Sequence, residues 1–329
     1  MTNLAISTVC NLNCPYCFAG DHMGEVGGEQ PYISRETFAQ QLDYLDRSGI
    51  DEARLLGGEP TLHPEFPALV AMARQRNKRI VVFSNGLMRP AALDCLMALP
   101  ETHCHVMLNI NAPALNPAPV LTRQKATLKR LGQRAMVGFN IYQPNIGMDF
   151  LLDVIDETAC QRRVRLGMAQ PCLSGENDSI RPHQYRFIAE KIVAFARKAA
   201  ARQITLEFDC GFVRCMFTDD ELAFLEANGS TIGWHCNPIL DIDAHNQVIH
   251  CYPLTGVGAI NLDATSTATT LRAHFSEQVA MYRQAGIFPE CINCPLKQRG
   301  ECTGGCLAVT MRRFRHSDFA IQVAEQEAQ

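Results

Sequence analysis

Short apolar, β-branched runs alternate along the chain with longer segments in which apolar residues return every three or four positions. The runs LAIST (4–8), ARLL (53–56), IVVF (80–83), HVMLNI (105–110), MVGFNIY (136–142) and RVRLGMA (163–169) predict six strands. After the first, they begin about 25–30 residues apart, the length of a strand plus its crossover helix. The first such helix shows the logic. Ser34 supplies an N-cap, Phe38, Leu42 and Leu45 share one face, and Gly49 supplies the stop. Similar patterns predict helices over roughly 64–76, 90–98, 119–131, 147–160 and 182–201. A seventh apolar run, ITLEF (204–208), leads through DCGFVRC into a cysteine-rich tail.

Six βα repeats predict an α/β fold, a parallel sheet curled into a partial (β/α)6 barrel over residues 1–209. A small cysteine-rich domain over 210–329 follows it. No long Gly/Ser linker separates them, so the two are expected to pack together. Chemistry in such folds collects at the carboxyl ends of the strands. Those ends hold Cys10, Cys14 and Cys17, then Gly57-Gly58-Glu59-Pro60, then Ser84-Asn85-Gly86. Asn109 and Asn111 follow, then Asn140 to Gln143, then Gln170 and Pro171. Each has a plainer reading: the glycine stretches as tight turns, the amides as satisfied core residues.

Composition narrows the function. The 329 residues are 47% hydrophobic and 19% charged, and 30 basic against 34 acidic residues leave a net charge of −4. With no basic block, a phosphate-neutralising nucleic-acid surface has no support. The start of the chain lacks a signal-peptide pattern, and no apolar run reaches membrane length, which points to a cytoplasmic protein. Fifteen cysteines in that compartment read as metal ligands or catalytic groups before disulfides. Three lie in the first 17 residues and eight after residue 209; Cys95, Cys104, Cys160 and Cys172 between them read as small buried hydrophobes.

The spacing CxxxCxxC at Cys10, Cys14 and Cys17 offers three ligands to a site that wants four. Zinc with a water would fit, as would three irons of a [4Fe–4S] cubane. A lone three-cysteine loop, without the paired knuckles of a zinc ribbon, favours the cluster and leaves one iron open to a chelating amine and carboxylate. With Tyr16 just before the third cysteine and GGEP at the next strand end, residues 1–205 resemble the radical S-adenosylmethionine (SAM) superfamily. The resemblance implies SAM as the fourth ligand. The Gly57 and Gly58 backbone, with Glu59, would meet its amino group, and Tyr16 would lie near adenine. Ser84 and Asn85 would line the cofactor, and Asn109 would approach the ribose or the methionine carboxylate. Reductive cleavage of SAM would then yield methionine and a 5′-deoxyadenosyl radical that abstracts hydrogen from substrate.

The tail resembles a SPASM domain, an auxiliary-cluster extension of such enzymes. Cys236 and Cys251 precede Cys291-x-x-Cys294, then Cys302 and Cys306. Three departures stand out. Asn246 occupies a usual glycine position, the gap from Cys294 to Cys302 is long, and no cysteine follows Cys306. By analogy Cys236, Cys251 and Cys306 would serve one cluster and Cys291, Cys294 and Cys302 a second. Cys210 and Cys215 are then left, one to complete each. One full cluster with a partial one, a single cluster with structural thiols, and a zinc ribbon are the rival arrangements. An auxiliary cluster that accepts the substrate electron makes the net reaction an oxidation, crosslink or dehydrogenation. A thiol that returns hydrogen makes it an epimerisation, and Cys172, after strand six, is the isolated thiol placed for that.

With nine residues before Cys10, no N-terminal peptide-recognition module is expected. The substrate is then a polar small molecule, or a peptide delivered by a separate recognition protein. An external one-electron reductant such as flavodoxin or ferredoxin is implied. Asn140, Gln143, Gln170, Glu207 and Asp209 are polar groups near the barrel mouth open to substrate or structural roles alike. AEQEAQ, after MRRF (311–314), reads as a solvated tail. An iron–sulfur electron carrier and a zinc-binding protein are the readings from other classes.

Overall fold

The computed structural model describes residues 1–20 and 31–315; the AEQEAQ segment lies outside them. Seven strands lie side by side in chain order, all parallel. They are β1 (Thr2–Ser7), β2 (Glu52–Gly57), β3 (Arg79–Ser84), β4 (Cys104–Asn109), β5 (Ala135–Ile141), β6 (Arg163–Met168) and β7 (Thr205–Phe208). The helices between them are α1 (Arg35–Arg47), α2 (Phe66–Gln75), α3 (Pro90–Met97), α4 (Ala118–Leu131), α5 (Phe150–Asp156) and α6 (Tyr185–Ala201). Every strand expected from the apolar pattern is present within about two residues, the ordinary scatter of element ends.

Local chemistry explains the boundaries. Ser34 caps α1 by accepting from the Thr37 N–H, and Gly49 at φ +62° turns the chain out after the helix. The helix expected over 147–160 is shorter, Phe150–Asp156, and past its end the Thr158 hydroxyl donates back to the Val154 carbonyl (2.8 Å). Strand residues Leu4, Ile6, Leu55, Val82, Leu108, Val137, Phe139 and Leu166 are fully buried, as are Phe38, Leu42, Phe66, Leu128 and Ile188 on the helices. Parallel strands covered by helices are apolar throughout, which is why the runs read so clearly.

Beyond β7 come α7 (Asp219–Ala227), β8 (Leu240–Ile242), β9 (Gln247–Ile249), β10 (Ile260–Asn261), α8 (Ala268–Gln278), α9 (Ala280–Gln284), α10 (Pro295–Gln298) and α11 (Leu307–Arg315). The tail shares the sheet of the barrel. β8 pairs parallel with β1, Thr2 opposite Leu240 and Leu4 opposite Ile242, and β9 and β10 extend it antiparallel. The ten strands run β10-β9-β8-β1-β2-β3-β4-β5-β6-β7. Covering the β1 edge satisfies backbone groups that would otherwise be open to another chain. Asn3 donates to Asp241 (2.7 Å) and the Gln41 amide to the Asp243 carbonyl (2.8 Å), fastening tail to barrel. Asn246 sits at φ +62° in the β8–β9 turn, the left-handed conformation that Asn tolerates in place of glycine. No helix among the described residues is long and apolar enough to cross a membrane.

Glu221 ties α7 to α6. Its carboxylate takes the Arg186 guanidinium through two nitrogens (2.5 and 2.8 Å) and the Thr218 N–H (2.8 Å) of a capping box. The Arg186 hydrogen bonds, then the Thr218 N–H, hold its carboxyl down at about 2. A depressed carboxyl adds stability that is complete above the ordinary glutamate range and lost as pH falls toward 2. Glu221→Gln is therefore expected to cost about 1 kcal/mol at pH 7, since Arg186 is half-exposed. Urea midpoints of the two proteins should converge as pH is lowered from 5 to 3.

Candidate functional site

The loop after β1 is held from beneath by the end of β2. Gly58 N–H donates to the Ser7 carbonyl and Glu59 N–H to the Val9 carbonyl, both at 2.8 Å. Both glycines are required there. A Cβ on Gly57, at φ +150°, would stand 2.1 Å from the Ser7 oxygen, and one on Gly58 would stand 2.4 Å from the Val9 oxygen and 2.9 Å from Cys10 Cβ. Glu59 has no exposed surface. Its carboxylate accepts from Thr61 N (3.2 Å), Thr61 Oγ1 (2.5 Å), Ser84 Oγ (2.9 Å) and Asn85 N (2.7 Å). Glu59 and Ser84 thus bind each other across the ends of β2 and β3.

Cys10, Cys14 and Cys17 lie within electrostatic reach of one another on this loop. Burial pushes the Cys17 thiol up to about 11 and the Cys10 thiol up as well, so taking a metal would release their protons. The Asn111 amide donates to Cys14 Sγ (3.3 Å), and the Asn85 amide stands 3.9 Å from Cys10 Sγ. Tyr16 is buried, stacks on Tyr142 (centroids 4.8 Å apart, 19° between planes) and donates its hydroxyl to Asn111. Asn109 lies against Gly138, where a Cβ would come 2.3 Å from its amide oxygen. Among the amides ending β4, it is Asn111 that bonds the cysteine loop. Asn109 is the strand's last residue, and the next turn of backbone decides which amide faces inward.

Cys172 is buried, with its sulfur 2.9 Å from Ser174 Oγ and within electrostatic reach of Cys17. Asn177 organises that segment, a residue the sequence reading passed over. It accepts from Cys172 N (2.9 Å) and donates to the carbonyls of Tyr16 (3.2 Å) and Gln170 (3.0 Å), while Asp178 N donates to the Pro15 carbonyl (2.9 Å). An Asn in a Ser/Gly/Asn-rich loop is the only sequence signal for it. Asp209 is paired with Arg165 (2.6 Å) and Glu207 with Arg163 (3.5 Å). Gln143 lines a cavity of about 540 Å³ with Ala112, Tyr142, Met148, Lys191 and Lys198.

The eight tail cysteines sort into two groups of four. Cys236, Cys306, Cys210 and Cys251 lie within electrostatic reach of one another. Cys215 interacts with Cys291, Cys302 and Cys294, and Cys291 with the latter two. Among the described residues, no three His, Cys, Asp or Glu side chains close around one point as the ligands of a single ion do. By electrostatic reach Cys210 falls with the first group and Cys215 with the second.

Residues 4–135 match the family model of the Radical SAM superfamily, which covers the N-terminal part of the sheet and the cysteine loop. GTP 3′,8-cyclase of Edwardsiella ictaluri is 31% identical over 85 residues, 25% of this chain and 26% of that protein. The S-adenosylmethionine-dependent nucleotide dehydratase of Selenomonas ruminantium is 31% identical over 123 residues, 36% of this chain and 41% of that one. The chain thus matches between about a quarter and two fifths of the length of these relatives. Streptococcus suis SuiB bound to S-adenosylmethionine superposes with a TM-score of 0.66 at 15% identity, over 93% of this chain and 73% of that one. A structure of anSMEcpe with bound AdoMet superposes with a TM-score of 0.61 at 15% identity, over 98% and 96%. At that identity the likeness is one of fold.

Gly58→Ala drives a methyl into the Val9 carbonyl and is expected to cost about 1–3 kcal/mol. Limited proteolysis should then cut within residues 8–20 before any other segment. An unchanged urea midpoint and cleavage pattern would show that the loop gives way freely.

Proposed function

We propose that this protein oxidises a peptide or polar small molecule by hydrogen abstraction, with a SAM-binding [4Fe–4S] cluster at Cys10, Cys14 and Cys17 and auxiliary clusters at the two tail groups. One observation carries the reading: two all-thiol sets of four, in a SPASM-like tail, share a sheet with a three-thiol loop one ligand short. All-thiol donor sets suit iron–sulfur clusters. Bound there, the cluster and SAM supply the electron and the 5′-deoxyadenosyl radical.

The chain's own part is positioning. Gly57 and Gly58 let the β2 end pass beneath the cysteine loop, and Glu59, Ser84 and the Asn85 backbone lock that junction. Direct cofactor contact then falls to the backbone of this junction and to Asn85 and Asn109 at the strand ends. The Asn111 and Asn85 amides point N–H groups at the sulfurs of Cys14 and Cys10, stabilising thiolates over thiols. The Tyr16 and Tyr142 rings, buried and stacked on each other, present an apolar face beside the cysteine loop. An external one-electron reductant of the flavodoxin or ferredoxin type feeds the site, and a separate protein delivers the substrate where that is a peptide. With a tail centre to take the substrate electron, Cys172 need not act as hydrogen donor.

Cys14→Ala should abolish formation of 5′-deoxyadenosine from SAM and dithionite while the tail keeps its iron. Anaerobically reconstituted wild-type protein should hold about twelve irons per chain, three cubanes. Zinc in their place, or deoxyadenosine from Cys14→Ala, would sink the reading. Cys210→Ala and Cys215→Ala should each alter a different auxiliary EPR signal; if both alter the same one, the grouping is wrong.

A further inference from the structure

The buried face of α4 carries Gln124 and Thr127 beside Leu128 and Leu131. Both polar residues turn to the Ser84-Asn85-Gly86 turn. Gln124 Nε2 donates to the Asn85 carbonyl (2.7 Å), and Thr127 Oγ1 donates to the Gly86 carbonyl (2.9 Å). The Gln124 amide has one workable orientation. A carbonyl only accepts, so the NH2 must face Asn85 and the oxygen must face Asn116, whose Nδ2 donates to it (2.7 Å). Asn116 Oδ1 is then left with no partner among the described residues, as this direction of donors requires. The relay continues into the cysteine loop. Asn85 Nδ2 donates to Asn11 Oδ1 (2.7 Å), Asn11 Nδ2 donates to the Leu87 carbonyl (3.0 Å), and Leu87 N–H donates to Asn85 Oδ1 (2.9 Å).

Asn85 is thereby held from three elements, by Glu59 on its N–H, Gln124 on its carbonyl and Asn11 on its side chain. Asn85 is only partly buried, so water could meet its carbonyl, and leucine at 124 would fill the same helix face. Two of the four buried positions of α4 instead hold donors to a single three-residue turn. Asn11, at the far end of the relay, directly follows Cys10. We infer that Gln124, with Thr127 beside it, is a positioning residue for SAM. It sets the Asn85 peptide, and through Asn85 and Asn11 the Cys10 end of the cysteine loop, without itself touching cofactor. This rests on the reading of that loop as the SAM-binding cluster site. Amides in series polarise one another, so loss of the Gln124 donor weakens the bonds beyond it.

The test is Gln124→Leu in the full chain, anaerobically reconstituted. The readouts are iron content, SAM affinity by equilibrium dialysis, and the EPR signal of the reduced Cys10-Cys14-Cys17 centre with and without SAM. At full iron, SAM binding about tenfold weaker, with a smaller SAM-induced change in that signal, supports the inference. Unchanged affinity at full iron overturns it and leaves the reading of the loop intact. Wild-type protein that binds no SAM overturns both. Leu128→Ala, which loosens the same helix face without touching the relay, should lower the urea midpoint and keep SAM affinity. An equal loss of affinity there would assign the effect to packing and overturn the inference. Should Gln124→Leu fail to fold or to take up iron, Thr127→Val decides, since it removes the donor to Gly86 at constant shape. Weaker SAM binding supports the inference, and unchanged binding at full iron overturns it.

Discussion

The Glu59 carboxylate has no surface in water, and four donors surround it: Thr61 through backbone and hydroxyl, the Ser84 hydroxyl and the Asn85 N–H. Burying a carboxylate costs several kcal/mol, and burial does push this one above the ordinary range while the four bonds oppose it. Hydrogen bonds to a charged group contribute about 1.5–3 kcal/mol each, so together they offset much of the cost but not all of it. The consequence is geometric. The end of β2 cannot move without the end of β3, and the neighbouring N–H groups of Gly58 and Glu59 bind Ser7 and Val9 at the root of the cysteine loop. Three strand ends are therefore one rigid piece, and the thiols stand on it. A flexible loop could carry the same cysteines, but it would lose ordering entropy each time a cofactor bound.

Much of this architecture could be read from the chain. The strands follow from apolar runs because a helix-covered parallel sheet needs both faces apolar, and α1 follows from a 3.6-residue stripe between Ser34 and Gly49. The cysteine loop and GGEP were legible as a pair, since each marks a strand end. What escaped was nonlocal. The three residues of β8 pair with a strand almost 240 positions earlier, and no periodicity in three residues announces a partner. Asn109 and Asn111 look alike in sequence, yet backbone direction at the end of β4 decides that Asn111 reaches Cys14 and Tyr16. Glu59 reads in sequence as a group for a ligand's amine, and the four fold donors around its carboxylate join β2 to β3 through residues far apart in sequence. The division of Cys210 and Cys215 is open by counting, and their electrostatic neighbours differ, Cys236 for Cys210 and Cys291, Cys302 and Cys294 for Cys215.

The tail is joined to the barrel by strand pairing and by chemistry. β8 lies on β1, and Asp241, at its centre, accepts from Asn3 on β1 and from the Tyr252 N–H, next to Cys251. A displacement of β1 is therefore felt by a tail cysteine through one buried side chain. The same strand leads directly into the loop with Cys10. The two regions are better regarded as one sheet with thiol groups along it than as a barrel with an appendage.

The segment 170–178 closes this arrangement from the other side. Asn177 and Asp178 bind the backbone of Tyr16 and Pro15, and Leu173 N–H binds the Pro253 carbonyl (3.1 Å), two residues from Cys251. One short stretch thus touches the N-terminal cysteine loop and the turn that follows a tail cysteine, and Gln170 at its start lies beside Tyr185. Loops that bridge two sites in this way fix their separation, and electron transfer between redox groups is sensitive to separation above all. The sequence of this stretch, polar or glycine from Ser174 to Ser179, supplies the amide and backbone groups that reach both thiol regions.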